Sequence, residues 1–282
     1  MFLRQLLIAS ITLLPVAVSY AGPYAPAAGQ PGSTAIHKDS PVFVGWATGW
    51  QDYVVGSDCD VIWQTPAKAL GKAVGDSYDI VCLGNGGRIT MTFDKPIANG
   101  PGWDFAVFEN SFNDTFLELA YVEVSSNGVD FFRFPNESLT ASPVPAFGAV
   151  DPTNIDGLAG KYRQGYGTPF DLDQLAGVSP LLNVNSISFV RIQDIVGDGS
   201  YLDTSGKPIY DPHPTVGSGG FDLDAIGVIH VVPEPNTFVL LASAGLVGAV
   251  VFSRRRARKP VHYDRQQSAS ASILTVESHS ST

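Results

Sequence analysis

Acidic side chains crowd the last third of this chain's folded stretch. Asp194, Asp198, Asp203 and Asp211 stand before or within a long polar loop at 197–220, and Asp222 and Asp224 lie on the apolar segment that follows. Carboxylates beside a Gly-rich loop suit a hard cation, because calcium takes about six to eight oxygens from carboxylates, carbonyls and water. Asp222, Asp224, Asp198, Asp203 and Glu109 are the candidate ligands of a structural Ca2+. On a strand Asp222 and Asp224 project to one face, opposite Phe221 and Leu223. If that face is buried, both carboxylates need a cation or hydrogen bonds. The alternative is that these acids are solvated or cap turns. The spacing is not that of an EF-hand loop, which needs an Asp-x-Asp-x-Asp-Gly run with a closing Glu.

Sugar binding is the second chemistry the residues allow. Trp46, Trp50, Tyr53, Trp63, Tyr162, Tyr166, Tyr201 and Tyr210 are available as stacking platforms, although most aromatics in a β-sandwich belong to its core. Tyr201 and Tyr210 sit in the polar loop and are the candidate carbohydrate-binding residues. Glycoside hydrolysis needs two carboxylates at a working distance, and the sequence does not place any two of Glu109, Glu118, Glu123 and the aspartates so. His213, between two prolines, reads as a turn residue. No nucleophile elbow, zinc-binding His-Glu-x-x-His or phosphate-binding Gly-x-x-x-x-Gly-Lys is present. No catalytic residue is assigned.

The elements that must hold these side chains read as strands. Residues 88–93 alternate Ile89, Met91 and Phe93 against Arg88, Thr90 and Thr92, the period of a half-buried strand. Residues 42–46, 103–109, 186–196 and 221–232 are further strand candidates. Residues 119–126 and 129–134 flank Asn127-Gly128, a hairpin signal. Residues 147–177 and 197–220 read as long loops, and 22–40 as an extended, poorly ordered arm. No stretch of the body sustains a helical period. The expected fold is all-β, a single jelly-roll-like β-sandwich over 41–232.

The two ends carry targeting information. Residues 1–21 have Arg4, an apolar core at 6–18 and small residues at Ser19 and Ala21, the pattern of a secretory signal peptide. Cys59 and Cys82 both lie in the exported part, where an oxidising compartment predicts a disulfide between them; two buried free thiols are the alternative. Residues 22–232 hold 24 acidic and 10 basic side chains, a charge of −14 against −10 for the whole chain. That balance excludes nucleic acid as a partner.

Near the C-terminus, Val232-Pro233-Glu234-Pro235 precedes an uncharged apolar run at 238–252, followed by Arg254, Arg255, Arg256, Arg258 and Lys259. With its flanks the run approaches the ~20 residues of a membrane-crossing helix, and the arginines predict a cytoplasmic end. This layout at 233–259 resembles the PEP-CTERM sorting signal of Gram-negative surface and exopolysaccharide-associated proteins. The resemblance implies an exosortase as processing partner, cutting near Pro233, Glu234 and Pro235, with Arg254, Arg255 and Arg256 as the inner anchor. A permanent C-terminal anchor is the alternative. The Ser-rich tail at 260–282 reads as disordered.

The body itself, through Trp103-Asp104-Phe105-Ala106-Val107-Phe108-Glu109-Asn110 and Gly219-Gly220-Phe221-Asp222-Leu223-Asp224-Ala225-Ile226-Gly227-Val228, resembles a recurrent bacterial cell-surface domain. The Phe-Asp-Leu-Asp segment is also similar to the last strand of jelly-roll carbohydrate-binding modules. The expected protein is held transiently in the inner membrane and released to the cell surface or extracellular matrix. There it acts as a non-enzymatic structural or exopolysaccharide-binding module. The alternative is a polysaccharide-active enzyme on the same fold.

Overall fold

Two antiparallel sheets face each other across one apolar core in the computed structural model, which describes residues 22–234. The first sheet runs β1 (Ile36–His37), β11 (Tyr166–Phe170), β6 (Phe105–Glu109), β15 (Asp222–Val228) and β2 (Gly45–Trp46), with β4 (Val81–Cys82) also paired to β15. The second runs β3 (Gly49–Val54), β5 (Arg88–Ile97), β12 (Ile187–Asp194), β7 (Ala120–Ser125) and β8 (Phe132–Arg133). Two short ribbons complete the body, β9 (Glu137–Ser138) with β10 (Ile155–Asp156) and β13 (Asp198–Leu202) with β14 (Pro208–Tyr210). The signal peptide at 1–21, the apolar run at 238–252, the basic cluster and the tail at 260–282 lie outside the described residues. Within them, no helix is long and apolar enough to cross a membrane.

Side-chain alternation sets the layers. Ile89 and Met91 of β5, Val122 and Val124 of β7, and Val190 and Ile192 of β12 meet Phe105 and Val107 of β6 and Ile226 and Val228 of β15 in the core. A ring cluster packs there, with Phe105 stacked on Phe170 at 5.4 Å and edge-on to Phe134 at 5.8 Å. The first sheet is covered on its outer side as well: Ala106, Phe108 and Ala225 pack with Ala73, Phe43 and Trp46. This explains why β6 and β15 are buried along their whole length and apolar except for Glu109, Asp222 and Asp224. A register shift between Leu223 and Ala225 bulges β15, so Leu223, Ile226 and Val228 face the core while Ala225 turns outward.

Several expectations are corrected. The arm at 22–40 is docked: Gly22 donates to Thr153 Oγ1 at 2.6 Å, the Tyr24 hydroxyl bonds Glu137, and β1 pairs with β11. The loop at 147–177 contributes β11, a strand of the first sheet, and the polar loop at 197–220 folds into the β13–β14 ribbon. The hairpin at Asn127-Gly128 exists as β7–β8, but only Gly128 has positive φ. The Asn127 side chain organises a longer turn by accepting from Val129 and Asp130 N–H at 2.9 Å. Cys59 and Cys82 are free thiols, not a disulfide. Each sulfur is turned to a main-chain carbonyl: Cys82 Sγ to Gly219 at 3.3 Å, and Cys59 Sγ to Cys82 at 3.7 Å.

The loops are tied to the sandwich by buried aspartates. Asp194, at the end of β12, accepts from Gly86 N–H and Phe221 N–H, both at 2.7 Å. Asp104 accepts from Gly100 and Leu172 N–H at 2.7 Å and bonds His230 Nδ1 at 2.8 Å. Removing such an acceptor strands buried amides, at about 1–3 kcal/mol each. Asp194→Ala should therefore cost about 2–5 kcal/mol in chemical denaturation, whereas the exposed Asp198→Ala should stay within about 0.5 kcal/mol; equal effects would contradict this assignment.

Candidate functional site

At the end of the first sheet, the start of β15 and the loops at 110–118 and 211–220 close on a cavity of about 160 Å3. Asp222 and Glu118 line it together with Asn110, Ser77, Thr215 and Ser218, and Phe112, Phe116, Phe147 and Val216 form its walls. Asp222 is the first residue of β15, pinned opposite Cys82 of β4. Its Oδ2 accepts from Asn110 Nδ2 at 3.0 Å. The Ser218 hydroxyl and Cys82 thiol lie near enough to favour the charged form, but Oδ1 has no hydrogen-bond partner among the described residues. Glu118 Oε1 accepts from Thr215 Oγ1 at 2.7 Å and Gly220 N–H at 3.2 Å. Behind them, at the end of β6, Glu109 Oε2 accepts from Ser111 N–H at 2.8 Å while Oε1 is unpartnered.

The phenylalanine wall is built by turn chemistry. Asn113 Oδ1 accepts from Thr115 and Phe116 N–H at 2.8 and 2.7 Å, an Asx turn that stacks Phe112 on Phe116 at 4.9 Å. A turn closed by Gly148 N–H to Pro145 O at 2.7 Å holds Phe147 at φ 58°, 5.6 Å from Phe116. Positive φ is uncommon for a bulky side chain, and Phe147 and Phe112 are 70% and 57% exposed. The strained turn thus presents a largely exposed ring beside Phe116.

The acids are perturbed chiefly by burial. Asp222 is pushed up to about 7 by loss of water, offset in part by its hydrogen-bonding neighbours. Burial, then the charge of Asp222, holds Glu118 well above the ordinary carboxylate range; burial does the same for Glu109, where the Ser111 amide opposes it and Asp222 adds to it. Elsewhere, burial pushes Asp194 up to about 7 and Asp224 up to about 6.

Of the predicted calcium ligands, Asp222 and Glu109 come close enough to act on each other. Asp224 is engaged by Val74 and Gly75 N–H at 3.0 and 2.8 Å. Asp203 caps the turn of the β13–β14 ribbon, accepting from Ser205 and Lys207 N–H at 2.9 Å, and Asp198 is exposed on the same ribbon. Among the described residues, no group of three or more His, Cys, Asp or Glu side chains is placed to hold a metal ion. Tyr201 and Tyr210 are half-buried against the second apolar cluster instead of standing free. Phe112, Phe116 and Phe147 escape a reading of the sequence, whose only signal for them is an isolated Phe among Ser, Asn and Asp at 111–114 and another in a Pro-Ala-Phe-Gly turn.

The acids set a pH dependence. In the fold Asp194 and Asp222 titrate at about 7 and Asp224 at about 6, against 3.8 ordinarily. Between those values the folded chain keeps protons that the unfolded chain has released, so stability falls as pH rises. Acids held low, such as Asp198, Asp203 and Glu137, act only below about pH 4. Melting temperature should therefore be several degrees higher at about pH 5 than at about pH 8, and a flat or opposite trend would refute the burial of these charges.

At the other end of β15 the chain reaches Val231, which bridges to Ile97, and Val232, whose N–H donates to Pro96 O at 2.9 Å. Pro233 and Glu234 follow, both exposed; Pro235 lies outside the described residues. No curated protein matches the chain. Residues 231–256 match the model of the PEP-CTERM protein-sorting motif, so the chain carries that motif, the mark of an exported protein sorted to the cell surface by an exosortase.

Proposed function

We propose that the body is a non-enzymatic binding module, delivered to the cell surface or extracellular matrix, which recognises an exopolysaccharide at the pocket of Asp222, Glu118 and Asn110 beneath Phe112 and Phe147. The observation that carries this reading is the exposed, strained Phe147 over a floor of hydrogen-bonding side chains. A sugar presents an apolar C–H face and a rim of hydroxyls, which rings and carboxylates complement. The strand order supports a jelly roll, a scaffold of two Greek keys: β2-β15-β6-β11 opposes β5-β12-β7-β8, with most successive strands passing from one sheet to the other.

A polysaccharide-active enzyme is the second reading, favoured by one observation. Glu118 and Asp222 line one cavity, and a carboxyl titrating near neutrality suits a general acid. Against it, Glu118 Oε1 is already occupied by Thr215 and Gly220, and about 160 Å3 is small for the sugars on both sides of a bond.

Two measurements test these proposals. Mass spectrometry of the secreted protein should find a C-terminus near Pro235; a full-length species confined to membranes would exclude cleavage. On a glycan array the protein should bind polysaccharide without degrading it. Phe112→Ala and Phe147→Ala should each weaken binding about tenfold with little change in melting temperature, since both rings are exposed. Unchanged binding in both variants would remove the pocket from recognition, and shortened glycans would establish the enzyme.

A further inference from the structure

The same pocket gathers buried acids with no basic side chain among the residues that line it. The charged groups acting on Glu118 are Asp222, Glu109 and Asp211, all acids. Asp222, which lines the pocket, is 1% exposed, yet its Oδ1 has no partner among the described residues, and the same holds for Oε1 of Glu109, 1% exposed behind it. Buried carboxylate oxygens without partners are costly defects in a fold. Three other buried aspartates mark the contrast: Asp194, Asp104 and Asp224 each have both oxygens occupied by backbone amides.

Three classes of ligand can be weighed against this geometry. Neutral sugar hydroxyls satisfy the hydrogen bonds and leave the charge. A metal ion takes about six to eight oxygens, chiefly from charged ligands, but among the described residues no three acidic, His or Cys side chains are placed to hold one. An organic ammonium meets both demands, donating N–H to carboxylates and placing its positive charge against the negative faces of aromatic rings. Phe112 and Phe147 each stack on Phe116 at the pocket wall and are themselves more than half exposed.

We infer that the pocket receives an organic ammonium group, the free amine of an amino sugar within the polysaccharide, with Asp222 and Glu118 taking its charge and Phe112 and Phe147 its apolar face. This rests on the reading of the pocket as a carbohydrate site and adds the sign of the ligand's charge. Calorimetric titration of the full chain in detergent with a glucosamine tetramer, and with the same tetramer N-acetylated at every amine, tests it. The free-amine tetramer should bind at least tenfold more tightly, and excess methylammonium chloride should compete with it. Asp222→Asn, nearly isosteric, should abolish the preference between the two tetramers, while Phe147→Ala should weaken binding of the free-amine form. Should Asp222→Asn fail to fold, methylammonium competition and Phe147→Ala decide the matter. Equal affinity for the two tetramers overturns the ammonium inference and leaves the carbohydrate reading standing. No binding of either tetramer overturns both. A rise in melting temperature with calcium chloride, and none with the amines, assigns the pocket to a metal ion and also overturns it.

Discussion

Buried backbone N–H groups must find acceptors, and in this sandwich buried aspartates supply several that the loops' own carbonyls do not. The sheets satisfy their own amides through antiparallel pairing, but the loops at 73–75, 84–87, 99–104 and 211–221 cross the sandwich without a strand to pair with. Asp224, Asp194 and Asp104 collect their amides, and Asp211 accepts from Leu119 N–H at 2.8 Å. Each joins segments distant in sequence, so the loops are registered to the sheets by point attachments. The cost is a set of carboxylates held away from water and pushed up in pKa. Amide hydrogen bonds offset part of that cost by favouring the charged form. Asp194, Asp104 and Asp224, with both oxygens occupied by amides, serve the fold in this way.

How far the sequence discloses this fold follows from how local each signal is. β5, β6, β7, β12 and β15 are legible because alternation or a continuous apolar run names them directly. β11 is not, since Tyr166-Gly-Thr-Pro-Phe170 carries Gly and Pro inside the strand. It tolerates Pro169 because β1 pairs with it only at Tyr166 and Gly167, leaving the proline where no donor is required on that side. The arm at 22–40 is compositionally a loop, and its order comes from Tyr24, Gly22 and β1, whose partners lie more than a hundred residues away. Asp222 and Asp224 are legible as a pair on one strand. Sequence spacing alone does not show that Asp203 and Asp198 belong to a separate ribbon, or that Glu118 and Asn110 complete the pocket.

The C-terminal boundary of the body follows from the chemistry of its own sequence. Val231 and Val232 belong both to the matched sorting motif and to the sandwich, through the Ile97 bridge and the bond to Pro96 O. Pairing with the sheet ends at Pro233 because proline has no N–H to donate, and Pro235 repeats the restriction two residues later. Neither Pro233 nor Pro235 can donate the amide that a further strand at this edge would need. A sequence such as Val-Val-Val-Glu-Val at this point would carry β-propensity straight through the processing site and invite it into the sheet.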